Sequence, residues 1–260
     1  MWSFFLIYFK RFFHIVKKML CFVLFGLGGI ILTFLVFPPI LLFFRNQEKQ
    51  ERVLRKIIQL SFASFTKLMV ITGVLNIHLH GVEELRTAES KIICANHPTL
   101  LDVVFLIGNV KNANCIVKSE LWKNPFVKGV ISRIYIPNSL GSEEMLKECG
   151  LSLEKGHNII LFPESSRTIK GKPVKFHRSA SHLALATGYD ILPVHIDVVW
   201  PSGLGKEDKL LSSPDNGIID FVLSVREVLT ISKYEKMERP IAARQLTNEL
   251  LFVIFARESL

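Results

Sequence analysis

Cysteine is scarce and scattered. Cys21, Cys94, Cys115 and Cys149 show neither the CxxC spacing of a zinc site nor the density of a disulfide scaffold. Buried thiols in a reducing compartment are the reading that remains. Glycine and proline are also few, 15 and 11 in 260 residues, and 49% of the chain is hydrophobic. That balance excludes a collagen-like, low-complexity or disordered chain and leaves length for one substantial domain plus an appendage. No Gly-x-Gly-x-x-Gly or Gly-x4-Gly-Lys-Ser/Thr pattern occurs, so no nucleotide or flavin cofactor is called for. His78 and His80 lie two apart, as on one strand face, but no third ligand is near them and no metal is expected.

Acidic residues are almost missing from the first sixty positions, where Glu48 and Glu51 face nine Lys and Arg. The net charge of the whole chain is +9, so the rest carries little excess. A basic surplus beside apolar sequence points to an anionic membrane surface, and nucleic acid is not expected as a partner. Charge itself is absent from Cys21 to Phe44, and roughly 20 apolar residues suffice to cross a bilayer core as helix. No small-residue cleavage site follows, which disfavours a signal peptide. Residues 2–9 form a shorter apolar stretch suited to the interface, with Trp2 and Tyr8 at headgroup level. Pro38-Pro39 interrupts the long run, so the segment spans or bends back to the same side. A buried helix of a soluble protein is the bland alternative, and it leaves the flanking basic clusters unexplained. Residues 50–73 carry apolar side chains at helical spacing and predict a second helix on the membrane or the domain.

From about residue 75, short β-rich runs alternate with helical patterns. Strands are expected at Leu75–His80, Lys91–Ala95, Asn114–Lys118, Arg133–Ile136, Asn158–Phe162, Ile191–Ile196 and Ile218–Ser224. Helices are expected near 99–108, 120–132, 142–155, 178–188 and 240–257. The rhythm predicts an α/β sandwich with a mixed, mostly parallel sheet flanked by helices, over residues 75–260, preceded by membrane-anchoring helices over 1–74. In such folds ligands bind in the loops leaving the carboxyl ends of strands. Three stretches fall there: Asn96-His97-Pro98-Thr99-Leu100-Leu101-Asp102, Ile134 to Asn138, and Phe162 to Thr168.

Pro98 suits a first helical position, placing His97 at a helix mouth and Asp102 about one turn inside. If the entry turn folds back, Asp102 accepts from one imidazole nitrogen and leaves the other as a general base. Such a base can deprotonate a substrate hydroxyl for attack on an acyl carbon, with no protein nucleophile. A helix-capping histidine beside an incidental Asp is the plain alternative. The stretch around Pro163-Glu164 adds two hydroxyls and Arg167, a set able to orient a substrate and pair with phosphate. Lys170, Lys172, Lys175 and Arg178 follow as a cationic rim, or as a solvated loop.

Asn-His-x4-Asp, then Phe-Pro-Glu-x-x-Arg, then Leu192-Pro193-Val194 resembles the glycerolipid acyltransferases of the 1-acylglycerol-3-phosphate O-acyltransferase type. The likeness covers residues 75–200 or so. It implies an acyl-CoA or acyl-carrier-protein donor, a lipid hydroxyl acceptor, no cofactor, and a membrane-seated α/β domain. By that likeness His97 is the base, Asp102 orients it, and Glu164 and Arg167 belong to acceptor binding; Asn96, Lys118, Ser165, Ser166 and Arg178 are further candidates for substrate binding. For a bacterial chain, a cytoplasm-facing domain on the inner membrane is the consistent placement, because thioester donors are made in the cytoplasm.

The chain departs from the pattern at Ser165-Ser166, where the family usually has Gly-Thr, and at Phe176-His177-Arg178-Ser179-Ala180, where it often has Phe-Lys-x-Gly-Ala. Pro137-Asn138 stands where Asp-Arg is common, so an arginine expected on the glycerol phosphate is missing. The Tyr-Ile-Pro-Asn version is similar to a bacterial subgroup linked to aryl-polyene and other specialised lipids. Two other classes compete with the acyltransferase reading. One is an idle lipid-binding or scaffold protein that kept the fold. The other is a serine lipid hydrolase using Ser165 or Ser166, which lacks a Gly-x-Ser-x-Gly elbow anywhere in the chain.

Overall fold

The computed structural model describes residues 2–117, 132 and 134–256. Lys118 and the helix expected at 120–132 (save 132) lie outside the described residues, as does Arg133. Strands β1 (Leu75–His80), β2 (Ile92–Ala95), β3 (Ala113–Val117), β4 (Ile136–Pro137), β5 (Asn158–Leu161), β6 (Ile191–Val198) and β7 (Ile219–Val225) form one sheet. Its order is β1-β7-β6-β2-β5-β3-β4, and every pairing is parallel except β6 with β7. The central strands β2 and β5 are short runs, IICA and NIIL, buried at every position. Continuous burial is what helices on both faces of a parallel sheet require. The mixed, mostly parallel sheet with flanking helices is therefore as the sequence predicts.

Helices α3 (Gln47–Ile71) and α5 (Asp102–Asn109) cover one face, and α6 (Ser142–Glu154), α7 (Ser179–Thr187) and α8 (Arg239–Phe255) cover the other. A short helix α4 (Val82–Thr87), unexpected from the sequence, follows β1. Asn46 caps α3 by accepting the amide of Lys49 at 2.9 Å.

The N-terminal region differs from expectation in continuity. Residues 2–9 are no separate interfacial piece but the first turns of α1 (Trp2–Ile31). The chain passes through a π-helical stretch, Leu32–Val36, into α2 (Phe37–Phe43), whose first turn holds Pro38 and Pro39. The wider π turn relieves the proline ring's clash with the preceding turn, so the prolines disturb the helix without ending it. One side of this unit packs on α3, with Phe25 and Phe65 rings 4.3 Å apart. The other is bare: Phe9, Phe12, Leu20, Leu27, Phe34 and Phe43 are all exposed. Between Leu6 and Phe43 the chain is long and apolar enough to cross a bilayer.

Candidate active site

Strands β2 and β5 are neighbours, so the loops that leave their carboxyl ends meet at one edge of the sheet. The first loop does not enter a helix at Pro98. Residues 96–101 form an open turn, and α5 begins at Asp102. Thr99 and Asp102 close this turn between them. The Thr99 amide donates to Asp102 Oδ2 at 2.7 Å, the Thr99 hydroxyl donates to Oδ1, and the Leu101 amide donates to Thr99 Oγ1 at 3.1 Å. This locked turn presents His97, whose Nδ1 lies 2.7 Å from Asp102 Oδ2.

Asp102 is fully buried, and burial pushes its carboxyl above the usual range while the hydrogen bonds from His97 and Thr99 oppose that rise. An ionised carboxylate only accepts, so Nδ1 carries the proton and Nε2 is the basic nitrogen. The His97 side chain is 21% exposed and Nε2 has no protein partner among the described residues. Phe162 stacks on the ring with centroids 4.3 Å apart, which fixes its plane.

Glu164 joins the two loops. Its Oε1 accepts the His97 amide at 2.9 Å and the Thr168 hydroxyl at 2.8 Å, and the Thr168 amide donates to the His97 carbonyl at 2.7 Å. Partial burial raises its pKa, against the pull of those donors. Arg167 extends the clamp to a third segment, with one guanidinium nitrogen on the carbonyls of Leu204 and Gly205 at 3.1 and 3.2 Å. Asn96 sits beneath the site, 2% exposed, and its amide group both donates to and accepts from the backbone of Ile196 at 2.7 Å. It therefore prolongs the β2–β6 pairing one residue past Ala95, and its polar atoms face the strand.

Ser165, Ser166 and Arg178 are exposed around this edge, and Asn138 is exposed in the turn after β4. No hydrogen bond joins Ser165 or Ser166 to a histidine among the described residues. Ser165 holds a left-handed backbone, φ 58°, a conformation that favours glycine. Thr99, Phe162 and Thr168 were not foreseen as site residues; only Thr99, three residues before Asp102, had a readable local signal.

The same geometry sits inside a recognised sequence region. The Acyltransferase family model matches residues 76–197, which hold both motif loops and the strands beneath them. Over that stretch, a little under half of its length, the chain is similar to the Acyltransferase family. Among curated relatives, a chloroplastic 1-acyl-sn-glycerol-3-phosphate acyltransferase of Arabidopsis thaliana is 26% identical, covering 64% of this chain and 48% of that protein. The Pseudomonas aeruginosa 1-acyl-sn-glycerol-3-phosphate acyltransferase is 26% identical over 51% of this chain and 54% of its own length. The chain thus spans about half the length of the curated relatives it matches. A crystal structure of the 1-acyl-sn-glycerophosphate acyltransferase of Thermotoga maritima superposes with a TM-score of 0.65 at 21% identity, covering 93% of this chain and 99% of that one. That likeness concerns the fold.

Proposed function

We propose that this protein is a membrane-seated O-acyltransferase that moves a fatty acyl chain from a thioester, acyl-CoA or acyl-carrier protein, to the hydroxyl of a lysophosphatidate-type lipid. The observation that carries the reading is the His97 ring, oriented by buried Asp102 at 2.7 Å and free at Nε2 among the described residues. Nε2 takes the proton of the acceptor hydroxyl as that oxygen attacks the thioester carbonyl. Collapse of the tetrahedral adduct breaks the carbon–sulfur bond, and the imidazolium returns its proton to the leaving thiolate. Asp102 keeps the proton on Nδ1 and stabilises the transient positive ring.

The names of the relatives support a lysophosphatidate-type acceptor. With Asn138 at the place of the usual arginine, the acceptor phosphate is held by Arg178, the nearby lysines and the remaining face of Arg167. The bare apolar side of α1 and α2 supports seating on a bilayer. A cavity of about 630 Å³ between these helices and α3, lined by Phe25, Leu32, Phe62, Phe65 and Tyr135, is apolar enough to accept an aliphatic chain. Cytoplasmic placement on a bacterial inner membrane follows if the donors are cytoplasmic thioesters.

The test is a panel of labelled acyl-CoA and acyl-carrier protein against lysophosphatidate, other lysophospholipids and a crude lipid extract, with His97→Ala alongside. Acyl transfer by wild type and its loss in the variant is the expected result. Equal transfer by His97→Ala defeats the mechanism. Absence of transfer to every acceptor favours the idle lipid-binding reading.

A further inference from the structure

The apolar helix α1 carries one polar stripe, Arg11, His14, Lys18 and Cys21, spaced by three and four residues on a single face. That face is docked on the segment between β6 and β7. Arg11 pairs with Asp215 at 3.0 Å and donates to the Ser213 carbonyl, and His14 Nδ1 meets the Gly217 carbonyl at 2.7 Å. Lys18 is wholly buried, and its ammonium donates to the carbonyls of Ser202 at 3.0 Å and Ser212 at 2.6 Å. A lysine is rarely buried without a strong polar reason.

The loop it grips leads directly into the site. Asp208 Oδ2 accepts the amides of Ser202 and Gly203 at 2.9 Å and the Ser202 hydroxyl at 3.0 Å, and that hydroxyl accepts the Leu204 amide at 3.1 Å. The Leu204 carbonyl then accepts the Leu100 amide at 3.0 Å and Arg167 at 3.1 Å. Leu100 lies inside the turn from His97 to Asp102. Gly203 completes the cradle: its φ is +74°, and a Cβ there would stand 2.3 Å from the Lys18 ammonium and 2.7 Å from the Ser212 carbonyl. Two contacts from Lys18 and two from Leu204 therefore join the membrane-facing helix to both motif loops through buried backbone.

We propose that Lys18 is a positioning residue for acyl transfer: by holding residues 202–205 it sets the His97–Asp102 turn and Arg167, so that seating of α1 and assembly of the active site are coupled. This rests on the acyltransferase reading above. No role in proton transfer is implied, because Lys18 acts only through the loop.

The experiment uses the full chain in phospholipid vesicles, with Lys18→Met, which keeps length and removes the donors, and Gly203→Ala, which crowds the same ammonium from the other side. Both are assayed well below their melting temperatures, beside wild type and His97→Ala. Loss of catalytic geometry is expected to lower kcat on the order of 10²-fold, with KM for the thioester within about threefold, since the donor's own contacts are untouched. Amide hydrogen exchange at Leu100 and Thr99 is expected to accelerate about tenfold or more in both variants. A lysine that merely holds α1 in place would lower the melting temperature and leave kcat and Leu100 exchange as in wild type, and that result overturns the proposal. If wild type transfers no acyl group, the functional reading fails separately. The exchange measurement still decides the coupling, with unchanged protection at Leu100 refuting it.

Discussion

Asp102→Asn isolates the charge behind His97. The Thr99 amide can only donate, and it points at Oδ2 from 2.7 Å. It therefore holds the new amide oxygen at the Oδ2 position, where that oxygen also accepts the His97 Nδ1 proton. The tautomer is kept and the negative charge is lost, while the new NH2 at the Oδ1 position donates to the Thr99 hydroxyl that had donated there. Unit charges about 4 Å apart interact by about 4 kcal/mol at an effective dielectric of 20. In the proposed mechanism most of that is felt only when the ring becomes an imidazolium in the transition state. A loss of roughly 3 kcal/mol corresponds to on the order of 10²-fold in kcat. Stability moves the other way. Burial raises the Asp102 pKa, so the ionised carboxylate subtracts from folded stability above that raised value, and the subtraction fades as pH falls through it. Removing the charge should leave the melting temperature at pH 7 equal to or above wild type, whereas Asp102→Ala, which also frees the Thr99 amide, should lower it. The assay is steady-state transfer of a labelled acyl chain, paired with thermal unfolding of the same samples. Activity of Asp102→Asn within threefold of wild type would refute the role given to the pair.

Ser165→Gly should release the left-handed strain at φ 58°. That is about 1 kcal/mol, a rise of about 2–4 °C in a chain of this size, and an unchanged melting curve would show the turn to be unstrained. Asn96→Ala leaves the Ile196 amide and carbonyl unpaired beside β2, costing about 2–3 kcal/mol. Kinetic constants measured below its melting temperature should stay within threefold; a raised KM at normal stability would instead make Asn96 a substrate contact. His157 is held neutral by burial and by Arg55 3.3 Å away, its pKa lowered to about 4. The unfolded chain protonates near 6.5 and the folded one near 4, so stability drains as pH falls through that window. His157→Gln should flatten the decline relative to wild type in chemical denaturation at pH 7, 6, 5 and 4, and parallel curves would count against it.

Much of this molecule is legible without coordinates because its signals are local. A buried parallel strand reads as an unbroken run such as IICA or NIIL, an apolar helix reads as its own length, and each expected strand has an observed counterpart within a few residues. The His97–Asp102 partnership was also readable, since five residues of chain hold it. The Thr99–Asp102 contact is equally local, and it holds the turn that delays the helix past the start Pro98 suggested. The contacts of Glu164, Asn96 and Lys18 were not readable. Glu164 meets the His97 amide 67 positions away, Asn96 meets Ile196 at a separation of 100, and Lys18 meets Ser202 at 184. Contacts of that range depend on which strands become neighbours, and side-chain periodicity carries no record of strand order. The sequence by itself determined the strands, the His97–Asp102 pair at the β2 end and the long apolar N-terminal helix. Only the tertiary structure decided that β5 lies beside β2, so that Glu164 clamps His97, and that the apolar helix α1 docks by its polar stripe on the loop beyond β6, because burial of those polar groups is tolerable only where distant backbone carbonyls converge to receive them.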